Sequence, residues 1–134
     1  MKKYENFCRA YKNLSDAITL EPPYSTVVLT GLVGLFEITF EQAWKMMKEL
    51  LEYSGYSENC TGSPRMVIKT AYQSGMINDE TAWLNALAAR NNVTHSYNED
   101  IALSIIDDTK RLFMKMFAQL KDETEHKWLP MNEL

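Results

Sequence analysis

One stretch of the sequence, AARNNVTHSYNED at residues 88 to 100, carries three side chains that are able to act on a phosphate: Arg90, His95 and Tyr97. An arginine binds a phosphate through two parallel hydrogen bonds. A histidine side chain, with a pKa of about 6.5, takes up and releases protons at neutral pH. Together they would hold an RNA phosphodiester and deprotonate a ribose 2′-hydroxyl without a metal ion. The alternative is a polar turn between helices, in which Arg90 pairs with an acid and His95 caps backbone groups.

Two predicted helices flank this stretch and decide whether its side chains converge. The first begins at residues 78–79, which have capping side chains, and the pair Asn91-Asn92 favours its end. The next helix, the fifth along the chain, begins near Asn98, and its predicted apolar residues include Leu112 and Phe113. In an unbroken helix, residues five apart point about 140° away from each other. We therefore predict that Arg90 lies at a helix end and His95 in the following turn, from which the two side chains converge.

Three further helices are predicted upstream, because apolar residues recur there at spacings of three and four. The first spans residues 3 to 20 and stops at a pair of prolines. The second and longest spans residues 26 to 54 and has a broad apolar face. The third runs from Pro64, with Ser63 as its N-cap, to a stop at Gly75. Since no segment alternates apolar and polar residues for long enough to suggest a strand, we predict an all-α, up-and-down bundle of four to five helices.

The bulk properties restrict the function classes. A length of 134 residues fits a single domain over residues 1–134, and 46% hydrophobic with 24% charged residues is ordinary for a soluble globular protein. The net charge of −4 provides no global positive field that would collect nucleic acid or anionic lipid. Any contact with RNA or a nucleotide must therefore be local.

Metal, disulfide and membrane features are not expected. Cys8 and Cys60 have no metal-type partners near them in the sequence, so we predict two reduced thiols and no metal site. The N-terminal residues lack the apolar run of a signal peptide. The longest apolar stretch, residues 27 to 36, covers about half of a bilayer-crossing helix. These features predict a soluble cytoplasmic protein that does not enter a membrane.

The chain is not expected to transfer nucleotides by itself. A transferase of the polymerase-beta type needs a Gly-Ser pair followed by an Asp-x-Asp pair that holds two metal ions. Gly62-Ser63 is present, but Asp-x-Asp occurs nowhere in the sequence. Asp107 and Asp108 are adjacent on a predicted helix, about 100° apart, and do not share a metal in the same way. We predict no cofactor.

Three segments occur in the order and spacing of a known family: GLFEITFEQAWKMMKELLEYSG, SPRMVIKTAYQSGMI and ARNNVTHSYNED. Over about residues 3 to 125, the chain resembles the nucleotidyltransferase substrate-binding proteins. These are a branch of the HEPN (higher eukaryotes and prokaryotes nucleotide-binding) superfamily. The resemblance implies a HEPN-like helical bundle that forms a homodimer. It also implies a two-component complex with a separate minimal nucleotidyltransferase encoded by an adjacent gene.

The resemblance implies two functions. In the first, the chain is a non-catalytic substrate- or nucleotide-binding subunit that docks on the nucleotidyltransferase. In the second, it is a metal-independent ribonuclease toxin, which the nucleotidyltransferase neutralises by adding AMP to the motif tyrosine. Carried over to this chain, Arg90 contacts phosphate, His95 is the acid–base group, Tyr97 is the modified hydroxyl, and Asn91 orients substrate or caps the helix.

Glu37 and Glu41 match the acids of the family's long helix. Their spacing of four residues places them on one helix face, where they would contact the motif arginine, Arg90. The alternative is a solvated stripe in which Glu41 pairs with Lys45.

The expectation of a homodimer also has a basis in the residues themselves. The long second helix and the fifth helix carry more apolar surface than a bundle of five helices is able to bury. A second subunit would cover the remainder. A site with one histidine also gains a second acid–base group when two subunits share it. Trp44 and Trp83 are predicted to lie in the core or at the dimer contact, from their helical spacing.

Overall fold

The computed structural model describes residues 1–56 and 62–134, and every regular element in these ranges is helical. Cys60 and part of the predicted loop before Pro64 lie outside the described residues. Two π-helical turns join the last three helices into one continuous rod, which corresponds to the fifth predicted helix. The elements are α1 (Lys2–Ala17), α2 (Thr26–Tyr53), α3 (Pro64–Gln73), α4 (Glu80–Asn91), a 3-10 turn (Val93–His95), α5 (Glu99–Asp108), a π turn (Thr109–Phe113), α6 (Met114–Glu123), a π turn (Thr124–Trp128) and α7 (Leu129–Met131). The prediction of an all-α bundle is confirmed.

Capping side chains mark the helix starts that were predicted from them. The Ser63 hydroxyl accepts the backbone N–H of Met66 at 3.2 Å, and an Asp79 carboxylate oxygen accepts that of Ala82 at 3.0 Å. Asn98 likewise caps α5 through its side-chain oxygen. Each of these bonds satisfies a backbone donor that the first helical turn leaves without a partner.

The predicted end of α1 was wrong by three residues. The helix ends at Ala17, and Ile18 is its C-cap. The Thr19 hydroxyl then donates to the backbone carbonyl of Asp16 at 3.0 Å, in a turn that precedes the two prolines. Proline restricts the residue before it as well as its own position, so the chain leaves the helical path earlier than the prolines themselves indicate.

The core is built around α2, which packs against α1, α3, α4 and α5. Rings from four elements meet there at centroid distances of 6.1 Å for Phe40–Trp83, 5.7 Å for Trp83–Phe117 and 5.3 Å for Phe36–Phe113. All five side chains are fully buried. Because Trp83 belongs to α4, this aromatic cluster fixes α4 against the middle of α2.

The first π turn changes which residues of the last rod enter the core. Thr109 begins the turn, and its buried hydroxyl donates to the backbone carbonyl of Ile105 at 2.7 Å. A π turn inserts about one extra residue into a helix and shifts the residues that follow it. Leu112, predicted on the apolar face, is therefore 39% exposed, whereas Phe113 is fully buried.

The length and mean hydropathy of α2, 1.2 over its most apolar window, also meet the criterion for a membrane-spanning helix. A core helix of a soluble protein meets the same criterion, so one such helix is weak evidence for a membrane. In this fold α2 contributes ten buried residues to the bundle. We therefore interpret α2 as the central core helix.

The aromatic cluster generates a stability prediction. Phe40→Ala should lower the free energy of unfolding by about 3–5 kcal/mol, since it leaves a cavity beside Trp83 and Phe36. The matched control is Ile38→Ala on the same helix, where the side chain is 51% exposed and the change should stay within about 0.5 kcal/mol. Urea unfolding followed by circular dichroism measures both. Equal losses in the two variants would contradict the assignment of the core.

Candidate functional site

The candidate site begins at the junction of α4 with the middle of α2. Arg90 lies in the last turn of α4, and its Nε donates to Glu41 Oε1 on α2 at 2.5 Å. The two side chains are 29% and 22% exposed. Partial burial reduces the screening of this ion pair by water. The interaction therefore fixes the guanidinium group relative to the core helix.

The guanidinium group keeps donors for a ligand. Its Nη1 donates to the side-chain oxygen of the neighbouring Asn91 at 3.2 Å. Of the five N–H donors of an arginine, the bonds to Glu41 and Asn91 use two. The Nη2 amino group and one N–H on Nη1 have no partner among the described residues, and parallel N–H donors of this kind are able to bind a phosphate through two hydrogen bonds.

Glu41 also forms a hydrogen bond with Trp44, whose part in the site was not predicted from the sequence. Its second oxygen, Oε2, accepts the indole N–H of Trp44 at 3.0 Å. Trp44 is half-buried and packs at the edge of the core, so its alternative place at a dimer contact stays a prediction, whereas Trp83 is fully buried in the core. The spacing of three residues between Glu41 and Trp44 was the available signal, since it places both on one face of α2.

The alternative pairing of Glu41 with Lys45 is not present among the ion pairs of the described residues, whereas the contact with Arg90 is. Glu37 lies one turn before Glu41 on α2 and is half-buried, and it forms no ion pair with a described residue. Of the two acids, the structure brings Glu41 alone to the motif arginine.

The other two motif residues lie in the segment between α4 and α5. The backbone N–H of His95 donates to the carbonyl of Asn92 at 2.9 Å, which closes the 3-10 turn after the helix end. The imidazole of His95 contacts the ring of Tyr97 edge to face, with centroids 6.3 Å apart. No described residue forms a hydrogen bond or ion pair with that imidazole. Tyr97 is 87% exposed.

The structure thus divides the predicted site into two groups. Arg90, Asn91 and Glu41 are hydrogen-bonded together, and His95 and Tyr97 form a second group. The helix end that was predicted to bring Arg90 and His95 together is present, but no hydrogen bond or ion pair joins these two described side chains. A substrate that bridges the two groups would complete the arrangement.

The second histidine occupies a different environment. Nδ1 of His126 lies 2.9 Å from the backbone carbonyl oxygen of Asp122 and 3.1 Å from its carboxylate. The hydrogen bond and the nearby charge hold the pKa of His126 above its ordinary value. Within residues 1–56 and 62–134, no three His, Cys, Asp or Glu side chains are placed to hold a metal ion together. The chemistry that the motif residues offer is phosphate binding by Arg90 and proton transfer by His95.

One known protein is similar to this chain in sequence. The probable ribonuclease HepT of Haemophilus influenzae is 27% identical over 104 residues, which cover 74% of this chain and 71% of that protein.

Two solved structures share the fold. HI0074 from Haemophilus influenzae, described as having the fold of a substrate binding domain of a nucleotidyltransferase, matches with a TM-score of 0.79 at 18% identity. The match covers 92% of this chain and 99% of that one. The protein ttk003001694 from Thermus thermophilus matches with a TM-score of 0.72 at 26% identity, over 91% of this chain and 98% of that one.

The family assignment rests on a match that spans most of the chain and includes both groups of the candidate site. The model of the family described as "nucleotidyltransferase substrate binding protein like" matches residues 2–126. This agrees with the family resemblance predicted from the three sequence segments. The chain therefore belongs to the nucleotidyltransferase substrate binding protein-like family.

Proposed function

We propose that this chain is the non-catalytic, substrate- or nucleotide-binding subunit of a two-component minimal nucleotidyltransferase system. The observation that carries the proposal is the family match over residues 2–126. In this proposal the chain is a cytoplasmic homodimer, and its partner is a separate minimal nucleotidyltransferase encoded by an adjacent gene. The partner supplies the metal-binding Asp-x-Asp pair that this sequence lacks.

The geometry of the site supports a binding role. Glu41 and Asn91 fix the guanidinium group of Arg90. Its remaining N–H donors are therefore held in place before a ligand binds. A preorganised donor loses less conformational entropy on binding than a mobile surface arginine does. Phosphate groups of a nucleotide or of RNA are the ligands that match this fork.

A second function, RNA cleavage, is favoured by the relationship to the probable ribonuclease HepT and by the motif itself. In this mechanism Arg90 holds the phosphodiester and the imidazole of His95 accepts the proton of the ribose 2′-hydroxyl. The 2′-oxygen then bonds to phosphorus to form a cyclic phosphate, and the bond to the 5′-oxygen breaks. The leaving oxygen takes a proton from water or from the second His95 of a homodimer.

The two functions are compatible as states of one complex, and Tyr97 connects them. Its phenol is 87% exposed, so the active site of a partner enzyme has access to it. Its ring also contacts His95. An AMP group added to this oxygen would place bulk and negative charge beside the acid–base group and would repel an incoming phosphodiester. A partner that adds AMP to Tyr97 would therefore stop RNA cleavage and still keep this chain as a bound subunit.

The binding-subunit function is tested by co-expression with the neighbouring nucleotidyltransferase. The two chains should elute from gel filtration as one complex at micromolar concentration. The controls are the two chains purified separately, each of which should elute later than the complex. Separate elution of the co-expressed chains would count against the pairing.

The cleavage function is tested with the purified chain, RNA and EDTA. His95→Ala should abolish cleavage because it removes the acid–base group. Arg90→Ala should slow cleavage by roughly 10²–10³-fold through lost stabilisation of phosphate charge. The matched control is His126→Ala, which removes the other, exposed histidine and should leave the rate unchanged. The readout is the rate at which cyclic phosphate ends appear.

The variant Tyr97→Phe distinguishes RNA cleavage from the regulation of cleavage by the partner. A phenol, with a pKa of about 10, is a poor base at neutral pH, so this variant should keep most of the cleavage rate. The partner with ATP should silence the wild-type chain, with a mass gain of one AMP, but not Tyr97→Phe. Tyr72→Phe, which changes another exposed tyrosine, should behave like the wild type. If neither the wild type nor His95→Ala cuts RNA, the ribonuclease function is excluded and the binding function alone remains.

A further inference from the structure

A cleft of about 610 Å³ opens on the C-terminal half of α2 and begins beside the candidate site. Its lining includes three lysines, Lys3 from α1 and Lys45 and Lys48 from α2. Two aromatic residues of α2, Trp44 and Tyr53, also line it. The volume lies within the range of about 300–1,000 Å³ that is usual for small-molecule sites.

Hydrogen bonds connect the cleft directly to the motif arginine. Glu41 accepts from Arg90 through Oε1 and from the Trp44 indole through Oε2. The same carboxylate therefore positions the phosphate-binding fork of the motif and the ring at the mouth of the cleft. A ligand seated on Trp44 lies next to the place where Arg90 would hold a phosphate.

The aromatic residues of the cleft offer ring faces to a ligand. Trp44 is half-buried and Tyr53 is 58% exposed, and neither packs against another ring in the described part of the chain. Nucleic acid bases stack on such side chains whatever the base, because every base has a π face. Nine residues of helix separate the two rings by about 14 Å along the axis and by about half a turn around it, so one base contacts one of them.

The charges of the cleft suit a phosphate beside the stacked base. Lys3 and Lys45 form no ion pair with a described residue, and Lys48 lies 3.9 Å from a carboxylate oxygen of Glu52. Glu52 and Glu49 also line the cleft, so among the described residues three lysines face two carboxylates. This local positive excess contrasts with the net charge of −4 for the chain. The carboxylates are acceptors for ribose hydroxyls and base amino groups.

We propose that this cleft binds a nucleotide, with its base stacked on Trp44 and its phosphate between Lys45 and Lys48. The inference rests on the proposed function, which it deepens by giving the nucleotide-binding role a place on the subunit. The nucleotide comes either from a free nucleoside phosphate or from an RNA strand that continues from Arg90. In the strand, Tyr53 at the far end of the cleft stacks a second base.

Tryptophan fluorescence reports on this site selectively. Of the three tryptophans, Trp83 and Trp128 are 0% and 2% exposed, so a ligand in the cleft quenches the emission of Trp44. The full chain carrying His95→Ala, which leaves RNA uncut, is titrated separately with ATP and with a short single-stranded RNA. Saturable quenching by either ligand is expected. Quenching by ATP alone assigns the site to a free nucleotide, and quenching by RNA alone assigns it to a strand.

Two cleft variants and one control test the placement. Lys45→Glu should raise the dissociation constant of the bound ligand at least about tenfold, because it replaces a phosphate partner with a repelling charge. Tyr53→Ser should weaken RNA about tenfold and leave ATP unchanged, since it removes the second stacking ring. Lys115→Glu makes the same charge change at an exposed position of α6 and should leave both affinities unchanged. Circular dichroism verifies the fold of each variant.

Three results would overturn the inference: no quenching by either ligand at millimolar concentration, unchanged affinity in Lys45→Glu, or a Trp44 signal that responds only to the nucleotidyltransferase or to self-association. The last result would identify the cleft as a protein interface. These results are separable from failure of the proposed function. A chain that co-purifies with the nucleotidyltransferase but binds neither ligand refutes the cleft alone. Nucleotide binding without co-purification refutes the partnership.

Discussion

The ion pair between Glu41 and Arg90 is the constraint on which the candidate site depends. It joins the middle of the core helix α2 to the last turn of α4, and it is 2.5 Å long and mostly shielded from water. Two other features hold its ends in register: Trp83 anchors α4 in the aromatic cluster, and Asn92 caps the end of α4. A shift of either helix by one residue would move the guanidinium away from its carboxylate. The remaining motif residues are exposed and depend on this helix end for their position.

Glu41 also links the motif arginine to the neighbouring cleft on α2. One carboxylate oxygen positions Arg90 and the other positions Trp44, so the motif guanidinium and the ring of the neighbouring cleft share one support. The exposed phenol of Tyr97 lies on the segment after α4, where a partner enzyme has access to it. In the proposed complex, this surface binds nucleotide or RNA, and the partner acts on Tyr97. The negative net charge then restricts nucleic acid to the places where cations are held locally.

Much of this was predictable from the sequence because local signals determine it. The side chains of Ser63, Asp79 and Asn98 mark helix starts, and each makes the predicted capping bond. Features set by tertiary contacts or by small register changes were not predictable. The π turn that begins at Thr109 adds about one residue to the helix, and the regular apolar pattern of the sequence gives no sign of it. For this reason Leu112 was predicted on the buried face although it is exposed.

The same distinction applies to the site. The sequence identifies the types of its residues and suggested the contact of Glu41 with Arg90. It did not show the bond from Trp44 to Glu41, nor that no hydrogen bond joins Arg90 to His95. The contact of an α2 carboxylate with α4 depends on how the two helices pack, and helical periodicity does not specify the distance between side chains on different helices.

If Glu41 holds Arg90 in place for an RNA phosphate, the two residues act as a unit, and a double-mutant cycle tests this most directly. The cycle compares RNA cleavage rates of the wild type, Glu41→Gln, Arg90→Ala and the double variant. Glu41→Gln should slow cleavage when Arg90 is present and have no further effect when Arg90 is alanine. Losses that add in full would contradict the assignment of Glu41 and Arg90 to one phosphate-binding unit, and a wild-type chain without cleavage would exclude the cleavage site.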